Sequence, residues 1–275
     1  MSKPVRVWGR AAFGAIAMGV ALGAAGAVSE RIGNRYVPAA VCALVAVLLI
    51  RPLRRRTELG LVQGLRGFGT GVAVTGGSAI AVLGLGTLAG WISWGRFHLG
   101  DVLVFVITNA VIATLLEAFP EEICLRGHTW TALRSRYRGA IAAVGTTFLF
   151  LLVPGLSTVV QAILTASPDT IRLVPAGQDP VSYPILLTIF GFTLIAARQA
   201  TGSLWTSIGT HLTFLTVNRI SLDGAAREAG WSADLASPDV LLLIPGYLLL
   251  AAITYRILGT SRYRRRLAGS SRSMA

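Results

Sequence analysis

A chain of 275 residues that is 53% hydrophobic and only 13% charged, with mean hydropathy +0.66, carries about half the charge of a soluble domain. Its net charge of +13 would suit nucleic acid if the basic groups formed one polar face, but they are scattered in short segments between apolar runs. Composition therefore excludes an ordinary soluble enzyme and a nucleic-acid partner, and it predicts an all-α, polytopic transmembrane helical bundle.

The apolar runs predict about eight spans, at roughly 11–28, 36–50, 68–94, 102–133, 139–154, 184–198, 202–219 and 240–257. The first follows "MSKPVRVWGR" and ends in small residues, as a signal peptide would. Its long apolar run and the spans that follow predict an uncleaved helix. Glycines four apart in "GVALG" (19–23) and "GTLAG" (86–90) predict close helix approach. Cys42 and Cys124 fall in apolar stretches of different spans and read as packing thiols, with no disulfide framework and no cysteine metal site. The fourth span is the longest, about 32 residues or roughly 48 Å of helix, and Pro120 in its middle predicts a kink just before Glu121. The connection 155–184 contains a short apolar piece, "STVVQAIL", which reads as an interfacial or re-entrant helix able to shape access to a site. No internal repeat is visible.

Sorting the connections alternately to two sides separates the charge. One side holds Lys3, Arg6, Arg10, Arg51, Arg54, Arg55, Arg56, Arg66, Arg134, Arg136, Arg138, Arg198 and the tail "RILGTSRYRRR". The other holds Arg31, Arg35, Arg96, Arg172, Arg219 and Arg227, balanced by acids such as Asp169, Asp179, Asp223, Glu228 and Asp234. Basic loops stay in the cytoplasm, so an integral multi-pass protein with both termini cytoplasmic is expected, its basic excess facing anionic membrane lipid.

Of twelve acids only Glu117, Glu121 and Glu122 fall within an apolar span, where each charge costs at least ~2.5–3.5 kcal/mol. Glu122 and Arg126, four apart, form a self-neutralising pair. Glu121 points about 100° away, on the face shared by Glu117 and His128. With no arginine on that face it is either protonated or wet, a state suited to general acid–base work on water. Counted from the cytoplasmic helix ends, Glu121 at about 20 Å and His211 at about 14 Å share a depth. Glu117 is a candidate to share a proton with Glu121. His128 reads chiefly as a histidine snorkelling to the interface, two turns too far to share one water. Glu121 with His211 supplies two metal ligands where catalytic zinc sites usually have three, which leaves a divalent metal open. A proton relay also uses buried carboxylates, but here they cluster in one place. No HExxH, GxSxG or membrane aspartate pair supports other protease chemistries.

"EEICLRG" (121–127) resembles the EExxxRG signature of the CAAX protease and bacteriocin-processing family (CPBP, or Abi), which includes the type II CAAX prenyl endopeptidases. "FGFTLIAARQATGSLWTSIGTHLTFLTVNR" (190–219) resembles that family's later motif, with "GSLW" before a helix carrying a histidine. The resemblance covers about 101–219 and implies a protease core there, flanked by N-terminal helices (1–100) and a last helix with a basic tail (220–275). It implies an intramembrane endopeptidase open to the cytoplasm, acting on a hydrophobic or prenylated peptide. Glu121 would activate water, Glu122 and Arg126 would support it, and His211 would stabilise the oxyanion. Two positions depart from the family pattern. Pro154 stands where FxxxH would place a histidine after Phe150, and Leu215 stands where HxxxN would place an amide, the nearest being Asn218. Phe148, Phe150, Pro154 and Leu215 offer no polar side chain, which keeps open a non-catalytic relative acting as a membrane scaffold or immunity-type protein. Substrate identity, metal dependence and oligomeric state are not legible.

Overall fold

The computed structural model describes residues 3–53 and 56–272. Arg54 and Arg55 of the expected basic loop, the first two residues and the last three lie outside the described residues, as do the side chains of Lys3, Arg56 and the tail arginines beyond Ser261.

The helices are α1 (Lys3–Ser29), α2 (Tyr36–Ile50), α3 (Gly64–Leu88), α4 (Leu99–Arg134), α5 (Gly139–Thr165), α6 (Ser182–Thr201), α7 (Leu204–Ser221) and α8 (Leu243–Arg272). Among the described residues, seven helical stretches are long and apolar enough to cross a membrane. Large apolar side chains such as Leu44, Leu48, Ile80, Ile107, Phe148 and Ile253 point outward, while alanines, glycines and hydroxyls fill the interior. That inversion is expected where lipid is as apolar as leucine and close packing holds helices together. The chain is an integral, multi-pass, all-α membrane bundle.

The expected seventh span, 202–219, is the helix α7, but composition alone does not qualify it as a span. Thr206, Ser207, Thr210 and His211 lie along it, and all four are buried within the bundle. Its polarity is turned inward, so mean hydropathy understates its enclosure. The third expected span (68–94) ends at Leu88, and residues 92–94 instead form β1 (Ile92–Trp94), antiparallel to β2 (Ala233–Leu235). Stacking of Trp94 on Trp231 at 4.2 Å supports this ribbon. The fifth expected span does not stop at 154, because the helix continues as Val153–Thr165 and "STVVQAIL" extends it rather than lying as a separate interfacial helix.

Glycines set the two closest crossings. In α1, Gly19 faces Leu156 and Gly23 faces Val160 of α5 so closely that a Cβ would overlap them. Gly71 of α3 and Gly209 of α7 meet across the α3–α7 crossing, where Gly209 lies against the Phe68 backbone.

Around Pro120 the helix departs from regular α winding. Two wider π-helical segments, Thr114–Ala118 and Glu122–Thr129, flank Phe119–Glu121, and this i→i+5 winding absorbs the ring's clash with the preceding turn. Proline has no N–H for the carbonyl of Leu116; the Cys42 thiol of α2 donates to that oxygen at 3.1 Å. Cys42 is thus more than a filler. Cys42→Ala is expected to lower stability by about 1 kcal/mol, and Cys42→Ser to recover part of it, as read by thermal unfolding in detergent.

The connecting segments form two faces. On the terminal face, Leu204 N donates to Gly60 O at 2.8 Å, Thr131 Oγ1 to Glu58 O at 3.2 Å, and the Trp8 indole to Tyr137 at 3.1 Å. On the opposite, hairpin face lie the β1–β2 ribbon, a Gln161–Glu30 hydrogen bond of 2.6 Å and a His98 N to Gly230 O bond of 2.8 Å. Arg198, expected among loop charges, is buried and donates to Gly202 O and Leu59 O, closing the end of α6.

Candidate active site

The π-helical stretch of α4 places consecutive carboxylates in different surroundings. Glu122 and Arg126 are fully buried and paired at 3.2 Å, as their spacing predicts. The Arg126 guanidinium lies over the Phe150 ring at 4.3 Å, which gives the buried cation an apolar partner it still attracts. Glu121 turns away from this pair and keeps 13% of its side chain exposed, in a cavity of about 540 Å³.

His211 of α7 joins the two acids. Its Nδ1 lies 3.2 Å from Glu122 Oε1, and its Nε2 lies 4.0 Å from Glu121 Oε2. The ring meets the edge-on Phe190 at 4.8 Å, and Phe190 stacks on Phe214 at 4.2 Å. Glu122 therefore has a second task that its spacing did not disclose: held by Arg126, it orients the imidazole, leaving Nε2 directed toward Glu121. An ionised carboxylate there can only accept, so Nδ1 is the donor of that contact.

The other sequence candidates separate. Glu117 does not sit as a proton-sharing partner of Glu121; it pairs with Arg219 of α7 at 2.5 Å. Arg219 also donates to Asn109 Oδ1 at 2.9 Å, and Asn109 donates to Thr216 Oγ1 at 2.9 Å. His128 is buried, with its Nε2 2.9 Å from the Arg10 carbonyl of α1 and its ring near Phe13. A uniform 100° wheel misplaced it, because the π winding between Glu122 and Thr129 shifts the later residues toward α1. Asn218 accepts a hydrogen bond from Tyr247 at 3.0 Å and is not among the cavity's lining residues. Phe150, Pro154 and Leu215 do line it, whereas Phe148 points out of the bundle.

Arg219, Asn109, Tyr183, Gln178 and Phe190 were not singled out as site residues from the sequence, yet four of the five line the cavity and Asn109 braces Arg219. Arg219 was read as a loop charge. The available signal was Asn109, a lone amide in an apolar run, which calls for a polar partner. Arg219→Ala would leave Glu117 with its charge uncompensated. The expected loss of about 1.5–3 kcal/mol should shrink when Glu117→Gln is added, a double-mutant cycle readable by thermal unfolding.

The connection between α5 and α6 contributes Pro175 and Gln178 to the cavity wall. It is fixed by Asp179, whose Oδ1 accepts from the backbone N–H of Val181 at 3.1 Å and of Ser182 at 2.7 Å. These bonds to Ser182 and Val181 hold the exposed Asp179 carboxyl below the usual aspartate range. The cap is therefore present above that range and is lost as acid protonates it.

Among the described residues, no three of His, Cys, Asp and Glu converge as a set of metal ligands. The Glu121–His211 pair supplies two.

Residues 103–217 match the family model described as "Rce1-like: Type II CAAX prenyl endopeptidase Rce1-like". The matched stretch, less than half of the chain, is similar to that family. It begins within α4 and ends within α7, so it contains Glu121, Glu122, Arg126 and His211 and the cavity wall from α5 and α6. The resemblance read from "EEICLRG" and "GSLW" is borne out at the level of the family over residues 103–217, and that family supports a protease, or hydrolase, kind for the matched stretch. No curated protein and no solved structure matches the chain.

Proposed function

We propose that the Rce1-like region is an intramembrane endopeptidase in which Glu121 activates water for attack on a peptide bond. The observation that carries this reading is the contrast between neighbouring acids: Glu122 is fully buried against Arg126, while Glu121 faces the cavity with His211 Nε2 at 4.0 Å. A water molecule fits between groups at that separation as a bridge.

In this reading the Glu121 carboxylate takes a proton as the water oxygen bonds to the carbonyl carbon. The developing oxyanion accepts a hydrogen bond from His211 Nε2–H, while Glu122 holds the ring at Nδ1. Glu121 then returns the proton to the departing amine as the C–N bond breaks, leaving a new carboxyl and a free amine. Arg126 acts through Glu122 and is a positioning residue. The lining of Leu22, Val153, Leu186, Phe190 and Phe214 favours an apolar peptide, of which a prenylated one is an example. No step needs a metal, though Glu121 and His211 remain two ligands that one would use.

A second reading has its own observation. Pro154 and Leu215, where the family pattern suggests polar groups, both line the cavity and present only apolar surface. A scaffold or immunity-type protein that binds a peptide without cutting it would have such a wall. The two readings part on cleavage by purified protein of a broad set of hydrophobic and prenylated peptides. The enzyme reading expects cleavage that Glu121→Gln abolishes; binding without cleavage in both proteins supports the scaffold.

A further inference from the structure

We propose that the reaction chamber opens on the face opposite the two termini, so that its peptide arrives from the non-cytoplasmic side of the membrane. That the occupant is a peptide rests on the hydrolase reading above; the direction of opening rests on the fold and the placement of charge.

The wall of the Glu121–His211 chamber includes Pro175 and Gln178 of the α5–α6 connection, Tyr183 in the first turn of α6, and Ser157 in the second half of α5. Arg219, near the far end of α7, lines the same side. All lie toward the hairpin face, which carries connections 30–35, 89–98, 166–181 and 222–237. Among the described residues, none of the lining comes from the terminal-face connections 54–63, 135–138 or 202–203. On that side the buried Glu122–Arg126 pair, the Leu59 side chain and the Arg198 cap form a packed floor. A second cavity of about 430 Å³ on the hairpin side shares Leu116, Glu117 and Arg219 with the chamber, so polar surface continues in that direction.

Charge then gives the direction a sign. By sequence, the terminal-face segments hold eighteen of the 25 lysines and arginines against a single acid, Glu58; the hairpin-face segments hold six arginines against eight acids. Positive charge is retained in the cytoplasm, which puts both termini there and the chamber mouth outside. A site open to the cytoplasm, as the family resemblance implied, and cytoplasmic termini, as the arginines imply, do not fit one chain with this chamber. The charge asymmetry favours keeping the termini and moving the mouth. The occupant is then an exported or membrane-embedded polypeptide segment with apolar side chains, presented from outside.

Single cysteines test this without any assay of activity. Cys42 and Cys124 are both fully buried, so the native chain is the blank. Leu215→Cys reports the chamber, Gly33→Cys the hairpin face and Ser135→Cys the terminal face, each probed with a membrane-impermeant sulfonated maleimide on sealed vesicles of either orientation. The expected result is Leu215→Cys labelling from the same side as Gly33→Cys, at least tenfold faster than from the Ser135→Cys side, with Ser135→Cys labelled only from the cytoplasmic side. Labelling of Leu215→Cys chiefly from the Ser135 side, from neither side, or a cytoplasmic Gly33→Cys overturns the proposal. Ser157→Cys replaces Leu215→Cys if that variant does not fold. Adding an apolar peptide to each side in turn separates the two claims. No cleavage from either side with the expected labelling sinks the hydrolase reading and leaves the direction of opening intact.

Discussion

Glu121→Gln is expected to lower peptide hydrolysis by about 10²–10⁴-fold, the usual range for loss of a general base, while leaving the detergent-solubilised protein as stable as the native chain. The two expectations follow from one feature. Among the described residues Glu121 has no ion-pair partner within hydrogen-bond distance, its nearest counter-group being His211 Nε2 at 4.0 Å, so a neutral amide of the same shape breaks no strong contact. The amide cannot accept the proton of an attacking water. Kinetic constants should change mainly in kcat, because the apolar walls that bind the peptide are untouched. Glu117→Gln is the matching control. Its partner is Arg219 at 2.5 Å, so its effect should fall chiefly on stability, with a much smaller loss of turnover than Glu121→Gln.

Arg126→Ala is expected to cost about 3–5 kcal/mol, the largest stability effect of any single substitution at the site. It removes the cation that faces Glu122 at 3.2 Å where both are fully buried, and it removes the ring contact to Phe150. The carboxylate left behind has one remaining partner, His211 Nδ1 at 3.2 Å. That contact would then draw the imidazole toward Glu122, so any folded fraction should also lose activity through a misplaced ring. Adding Glu122→Gln to Arg126→Ala should recover much of the stability, since no uncompensated charge stays buried, but should not restore turnover. This split between stability and activity is what a positioning role predicts and a purely structural role does not. Thermal unfolding and kcat measured on the same preparations would read it.

The fold class was legible because it rests on composition and long apolar runs, which a membrane makes unambiguous. The Glu122–Arg126 pair was legible for a related reason: a charge in lipid needs compensation, and i,i+4 spacing supplies it. What the sequence hid followed from local winding. A straight α-helix puts His128 beneath Glu121, but the π-helical turns around Pro120 carry it to the Arg10 carbonyl. No residue pattern separates a kinked helix from a π-bulged one; the acceptor that Cys42 satisfies at Leu116 appears only when α2 is packed beside α4. Arg219 was missed because a charge near a predicted helix end reads as a loop residue, although α7 extends to Ser221 and turns Arg219 toward Glu117. The dual role of Glu122 toward Arg126 and His211 is likewise a matter of two helices meeting, with 89 residues between the acid and the imidazole.

The most direct measurement is mass spectrometry of an apolar peptide incubated with the purified protein in heavy-oxygen water, beside the Glu121→Gln variant. Activation of water by Glu121 predicts one heavy oxygen in the newly formed carboxyl terminus with the native chain, and intact peptide with the variant. Cleavage that persists in Glu121→Gln, or an intact peptide with the native chain across a broad substrate set, would contradict the account.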